Sequence, residues 1–165
     1  TDSGTASFDT INGFKLASSF TTATDIATYA KFQGVTAGGA NASVLGINMT
    51  NTGVTQAITV EGPATGAGQA AGVNYVIKDG ILTLTGTGAS TVDTLGEWLT
   101  EAAAVAATNG DILAFEFGSD TYVFGQNGSA DVFVKLAGVT GVAALAGGTS
   151  TSTGADNTLW FVDIA

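Results

Sequence analysis

The side chains able to do chemistry in this chain are almost all oxygen donors. There are 14 acidic residues against four lysines, with no histidine, no cysteine and no arginine. A Ser-His-Asp triad, a Cys-His dyad and a His- or Cys-ligated metal are therefore closed to it. What remains is carboxylate and amide chemistry, and its natural partner is a hard cation. Ca²⁺ takes six to eight oxygens, mixing carboxylates, amides and main-chain carbonyls in Gly-rich loops. Such groups gather near Asp2, Asp9 and Asn12, at Asp79, at Asp111 with Glu116, at Asp120 with Asn127 and Asp131, and at Asp156, Asn157 and Asp163. Asp111, Asp120, Asn127, Asp131 and Asp156 are the candidate calcium ligands. No EF-hand loop and no GGxGxDxxx nonapeptide is present. The competing reading is that these acids close turns and keep the surface solvated.

Paired carboxylates for glycoside hydrolysis are the enzymatic alternative. The glutamates are Glu61, Glu97, Glu101 and Glu116. Thr94 and Glu97 have capping-box spacing, and Glu97 and Glu101 share a helix face that reads as surface. Glu116 sits inside an apolar run, as the solvent face of a half-exposed strand would. No pair stands out, and the chain is expected not to be an enzyme. Trp98 and Trp160 lie in apolar patterns and read as core rather than as a sugar-binding platform.

The net charge is −10. A chain so acidic repels nucleic acid and anionic lipid, because it cannot replace counterions at phosphates. Charged residues make up 11% and apolar residues 45%, the reverse of a disordered composition. At 165 residues the chain reads as a single domain, 1–165, able to bury a core without disulfides. No apolar run is long enough to span a bilayer as a helix. The start, Thr1-Asp2-Ser3-Gly4, carries neither Met nor a signal segment. That suggests a processed fragment of something longer.

The elements that must position these groups are mostly strands. Thr1 to Phe14 reads as a short strand with Asn12-Gly13 as turn or bulge. A short helix is expected over about 24–32. Ser43 to Thr50 and Gly53 to Glu61 are strand-like, joined by a tight turn at Asn51-Thr52-Gly53, and Gly62 to Gly72 is loop. Val73 to Gly86 is a hairpin around Asp79-Gly80, a type I′ signal. Thr94 to about Ala107 is an amphipathic helix whose outer face is so bare of charge that it too should be covered. Asp111 to Val139 is a three-stranded meander. Gly138 to Gly148 reads as loop with a turn of helix, and Leu159 to Ile164 as a last strand. The fold class is mainly β with minor α: a β-sandwich or β-roll with one helix over about 94–107 and another over about 24–32.

Within that meander, Gly118 to Val139, GSDTYVFGQNGSADVFVKLAGV, resembles a pattern near the C-termini of bacterial surface-layer and RTX-type proteins exported by type I secretion. Asp120, Thr121, Tyr122, Val123 and Phe124 match its first strand. Asp131, Val134, Leu136, Gly138 and Val139 match its second. The preceding WLTEAAAVAATNGDILAFEF is similar to the same tails. The ending Phe161-Val162-Asp163-Ile164-Ala165 looks like the close of a type I signal. The family's nonapeptide calcium repeats are missing. The resemblance implies a C-terminal domain of an extracellular, non-enzymatic surface protein that is exported by the type I machinery. Its partners would be identical subunits in an array or upstream domains of the same chain, with calcium as a possible stabiliser. An adhesin-type module for glycan or host protein is the alternative from another class, and a carboxylate-only hydrolase is a third.

Overall fold

The computed structural model describes residues 8–20, 44–47, 59–63, 68–128, 131–148 and 157–164. The protein is mainly β. Among the described residues eleven strands run in chain order: β1 Asp9–Asn12, β2 Ala17–Phe20, β3 Val44–Ile47, β4 Thr59–Pro63, β5 Asn74–Lys78, β6 Ile81–Thr85, β7 Ile112–Phe117, β8 Asp120–Gly125, β9 Val132–Ala137, β10 Ala144–Gly148 and β11 Asn157–Ile164. Among the described residues one α-helix, α1 Leu95–Val105, lies between β6 and β7.

Seven strands form an open mixed sheet in the order β1-β9-β8-β7-β6-β5-β4. β1 and β9 are parallel, as are β6 and β7; the other neighbours are antiparallel. The parallel β6–β7 step is possible because α1 carries the chain across. A second sheet centres on β11. β10 lies on one side of it, and both β2 and β3 pair with it as well.

Alternation along β7 shows how the first sheet is buried on both faces. Ile112 and Ala114 point into one cluster with Val123, Val134 and Leu136, where Phe14, Leu45 of β3 and Leu145 of β10 pack. Leu113 and Phe115 point the other way, into a cluster with Tyr122, Phe124, Phe133 and the α1 residues Leu99 and Ala102. A strand covered on both faces reads as a continuous apolar run, which is why ILAF carries no polar side chain. On the α1 face the aromatics form a ladder. Trp98 stacks on Phe115 at 5.2 Å, Phe115 on Tyr122 at 5.6 Å, and Tyr122 on Phe133 at 5.5 Å. Phe8 closes it edge-on against Phe133 at 5.2 Å. The aromatics of 111–139 are thus core, and Trp98 with them. The side chain of Trp160 falls outside the described residues.

The hairpin at Asp79-Gly80 is as the sequence predicts: both residues have positive φ, 50° and 81°, and Tyr75 faces Leu84 while Ile77 faces Leu82. The capping box at Thr94 forms. Other expectations are corrected. The helix stops at Val105 rather than near Ala107, because Ala106 leaves helical geometry while staying buried against the sheet. Ala17 to Phe20 is a strand, drawn out by its parallel pairing with β11; the expected helix over 24–32 lies outside the described residues. β3 and β4 join different sheets instead of flanking one turn. Gly62 and Pro63, expected in a loop, end β4, where β5 supplies a partner. Gly138 to Gly148, expected as loop and helical turn, contains β10, whose five residues pair with Thr158 to Val162.

Candidate functional site

The β-meander sorts the candidate ligands by end. Because β8 is antiparallel to β7 and β9, the start of β7, the end of β8 and the start of β9 lie together. Asp111, Asn127 and Asp131 sit at that end. Asp120 begins β8 at the opposite end. Asp156 lies outside the described residues.

Asp111, Asp120 and Asp131 are each already at work on the backbone. Asp111 Oδ2 accepts from the Thr108 N–H at 3.0 Å, while the Asp111 N–H donates to the Thr108 carbonyl at 2.9 Å. Asp131 Oδ1 accepts from the Asn127 N–H at 2.9 Å. The two turns are stitched by Gly110 N–H to the Gln126 carbonyl, 2.8 Å, and Gln126 N–H to the Asp111 carbonyl, 2.9 Å. Asp and Asn are favoured at such places because a short acceptor can reach a main-chain donor a few residues away.

At the other end Asp120 uses both oxygens. Oδ1 accepts from the Gly138 N–H at 2.8 Å, and Oδ2 meets Lys135 Nζ at 2.6 Å. Lys135 also lies over the Tyr122 ring, 5.8 Å from its centroid. The Lys135 ammonium, then the Gly138 N–H, hold the Asp120 carboxyl below its ordinary range; Asp120 in turn holds Lys135 above its own. Both groups are driven towards their charged forms. An acid–base pair poised for proton transfer needs the opposite, so this is a clamp.

Glu116, the acid embedded in the apolar run, is exposed, as a strand's solvent face would be. Its Oε1 accepts from the Val142 N–H at 3.0 Å. Thr121, paired with Glu116 across the hairpin, donates its hydroxyl to the Val139 carbonyl at 2.8 Å. Asp120, Thr121 and Glu116 thereby pin three successive points, Gly138, Val139 and Val142, of the segment that carries the chain from β9 to β10.

Sequence reasoning placed Glu101 on the surface; the structure buries it, 1% exposed. Its Oε1 accepts from the Ala70 N–H at 2.8 Å. Residues 68–72 thus cover the outer side of α1, the cover that the helix's lack of charge called for. The missed signal was that Glu101, unlike Glu97 at the helix start, lies beside Thr100 and Ala104 on the part of that face bare of other charge. Glu97 Oε2 accepts from the Thr94 and Asp93 N–H groups, and its bonds to Thr94, side chain first, lower its pKa.

Calcium fits this donor set only in part. Asp120 is saturated by an ammonium and an amide. Asp111 and Asp131 each spend one oxygen on a turn and retain another. Among the described residues no three acids come together as a metal-holding group. An open groove of about 310 Å³ is lined by Gly62, Pro63, Asn74, Tyr75, Val76 and Thr85, beside the β4 edge of the first sheet. Among the described residues no helix is long and apolar enough to cross a membrane. No protein family matches the chain, and neither a curated protein nor a solved structure does.

Proposed function

We propose that the chain is a structural domain of a surface-layer-like protein, exported by type I secretion and assembled outside the cell. The observation that supports it is how the carboxylates are used. Asp111, Asp120, Asp131, Glu97, Glu101 and Glu116 each accept a main-chain N–H from a turn, cap or connecting segment. A chain with few charges spends them on holding loops, which suits a domain whose work is to be rigid and to pack against neighbours. Asp120 opens β8 and Asp131 immediately precedes β9, the two strands that carry the resemblance to type I-exported surface proteins. Calcium has a supporting role in this reading, at the end that holds Asp111, Asn127 and Asp131.

The test is an export assay. Fused behind a reporter in a cell carrying a type I exporter, the chain should move the reporter into the medium. Removal of residues 159–165 should abolish this while the fusion stays stable in the cytoplasm. Equal export with and without the chain would overturn the reading.

One observation favours a binding module instead. The groove beside β4 has Tyr75, Asn74 and Thr85 among its lining residues, an aromatic residue with an amide and a hydroxyl residue, as sugar-binding grooves use. Loss of binding to a glycan array on Tyr75→Ala, with the fold unchanged, would bring this reading forward.

A further inference from the structure

Three Asn-Gly dipeptides occur in described residues: Asn12-Gly13, Asn109-Gly110 and Asn127-Gly128. Asn-Gly is the dipeptide most open to intramolecular attack, since glycine has no Cβ to obstruct the ring closure. The three have identical local chemistry and different surroundings.

Asn109-Gly110 and Asn127-Gly128 lie in the two turns stitched to each other. The Gly110 N–H, the would-be nucleophile, donates to the Gln126 carbonyl at 2.8 Å. A side chain built on Gly128 would lie 3.6 Å from Asn109 Nδ2, so the Asn109 amide is set against that turn. Asn127 is half-buried, and its own N–H is held by Asp131. Asn12 and Gly13 are both exposed, and the space around Gly13 is open, with no heavy atom within 4 Å of a Cβ placed there. Asn12 is the last residue of β1, which pairs in parallel with β9 and ends the sheet order among the described residues. The end of such a strand opens at little cost.

We propose that Asn12 is a self-modification site: it converts to aspartate and isoaspartate ahead of the other two. The Gly13 amide nitrogen loses its proton to solvent base and attacks Asn12 Cγ. A carbon–nitrogen bond forms, the side-chain carbon–nitrogen bond breaks, and ammonia leaves with a proton from water. Water then opens the succinimide at either carbonyl. Opening at the main-chain carbonyl gives isoaspartate, with one more carbon in the backbone; opening at the other gives aspartate. No oxidant or reductant takes part.

The consequence is directional. Asn12 is in register with Ala137, and Phe14, two residues on, is buried in the core with Leu45 and Leu145. A lengthened backbone between those anchors cannot satisfy both. Ageing at Asn12 therefore loosens β1 and adds a negative charge to a chain that is already at −10.

Trypsin separates the sites, because Thr1 to Lys15 contains Asn12 as its one asparagine, while Asp79 to Lys135 contains both Asn109 and Asn127. The intact protein is held in mildly alkaline buffer, with and without denaturant, and mapped by tandem mass spectrometry over time. Native protein should deamidate at Asn12 several-fold faster than at Asn109 or Asn127. Denaturant should bring the three rates together. Asn12→Gln, which would need a larger ring, should remove the fast phase. Native Asn109 or Asn127 reacting as fast as Asn12 would overturn the proposal. So would a native Asn12 that stays intact while the denatured chain reacts.

Discussion

The Leu145 N–H donates to the Asp79 carbonyl at 2.8 Å, so the hairpin turn of the first sheet is also a docking point for the second. Gly80 beside it has φ 81°, and a Cβ placed there would lie 2.9 Å from the Leu145 side chain. Gly80→Ala should therefore suffer twice, from a left-handed backbone and from collision with a core residue that is 1% exposed. The expected loss is about 2–4 kcal/mol, read from the midpoint of urea unfolding. Gly96→Ala is the control in the opposite direction. Gly96 lies in α1 with nothing within 4 Å of its added Cβ, and the change should stabilise by about 0.5 kcal/mol.

Asp120 and Lys135 set a pH window. Asp120 has a lowered folded pKa. Its contribution is present above the ordinary carboxylate range and is lost as pH falls through that range to the folded value. Lys135 has a raised folded pKa. Its contribution is present below the ordinary lysine range and is lost as pH rises through the folded value. The clamp is therefore whole between those limits. Asp120→Asn keeps an oxygen for the Gly138 N–H and removes the charge. The difference in unfolding midpoint between this variant and the parent should be largest near neutrality and shrink on acidification. A difference independent of pH would show that the ion pair contributes nothing.

Glu101 separates the hydrogen bond from the charge. Glu101→Ala strips the Ala70 N–H of its acceptor in a buried place and should cost about 2–4 kcal/mol. Glu101→Gln keeps an acceptor of the same shape without burying a charge, and should be neutral or stabilising. Chemical unfolding of the two variants at neutral pH distinguishes them. Equal losses would mean that the charge itself holds residues 68–72 on the helix.

Phe115 is fully buried between Trp98 and Tyr122. Phe115→Ala should cost about 3–5 kcal/mol and shift the Trp98 emission to the red as water reaches the ladder. Phe115→Leu should lose less stability and shift the emission less.

What the sequence made legible follows from where its signals are local. Asp79-Gly80 needs two positive φ angles, and Thr94 with Glu97 needs a helix start; either can be read within a few residues. The meander of 111–139 was readable because its apolar runs are broken at Gly118-Ser119-Asp120 and again at Gly125 to Ala130. Pairings at a distance were not. Nothing in Ala144 to Gly148 announces a strand; its small side chains gain β geometry from β11, and Ala17 to Phe20 likewise. Of the candidate site, the acids were found, since Asp and Glu are conspicuous in so uncharged a chain. Their grouping was not, because it depends on which ends of β7, β8 and β9 meet. Glu101 was misplaced for a related reason: residues 68–72, which bury it, are 31 positions away at Ala70.

That grouping also decides where calcium would act. Asp111 and Asp131 bring two carboxylates to one end of the meander, on a chain at −10. A divalent cation held there would relieve repulsion and tie Asp111 to Asp131. Binding to the folded chain alone raises the unfolding midpoint with metal concentration. Millimolar Ca²⁺ should therefore raise the melting temperature, and Asp111→Asn with Asp131→Asn should remove most of that rise. Asp120→Asn should leave the rise intact, since Asp120 lies at the far end with both oxygens engaged by Gly138 and Lys135. Magnesium at the same ionic strength measures plain screening. If magnesium shifts the midpoint as much as calcium does, or if neither shifts it, the calcium role falls and the turns stand on their backbone hydrogen bonds alone.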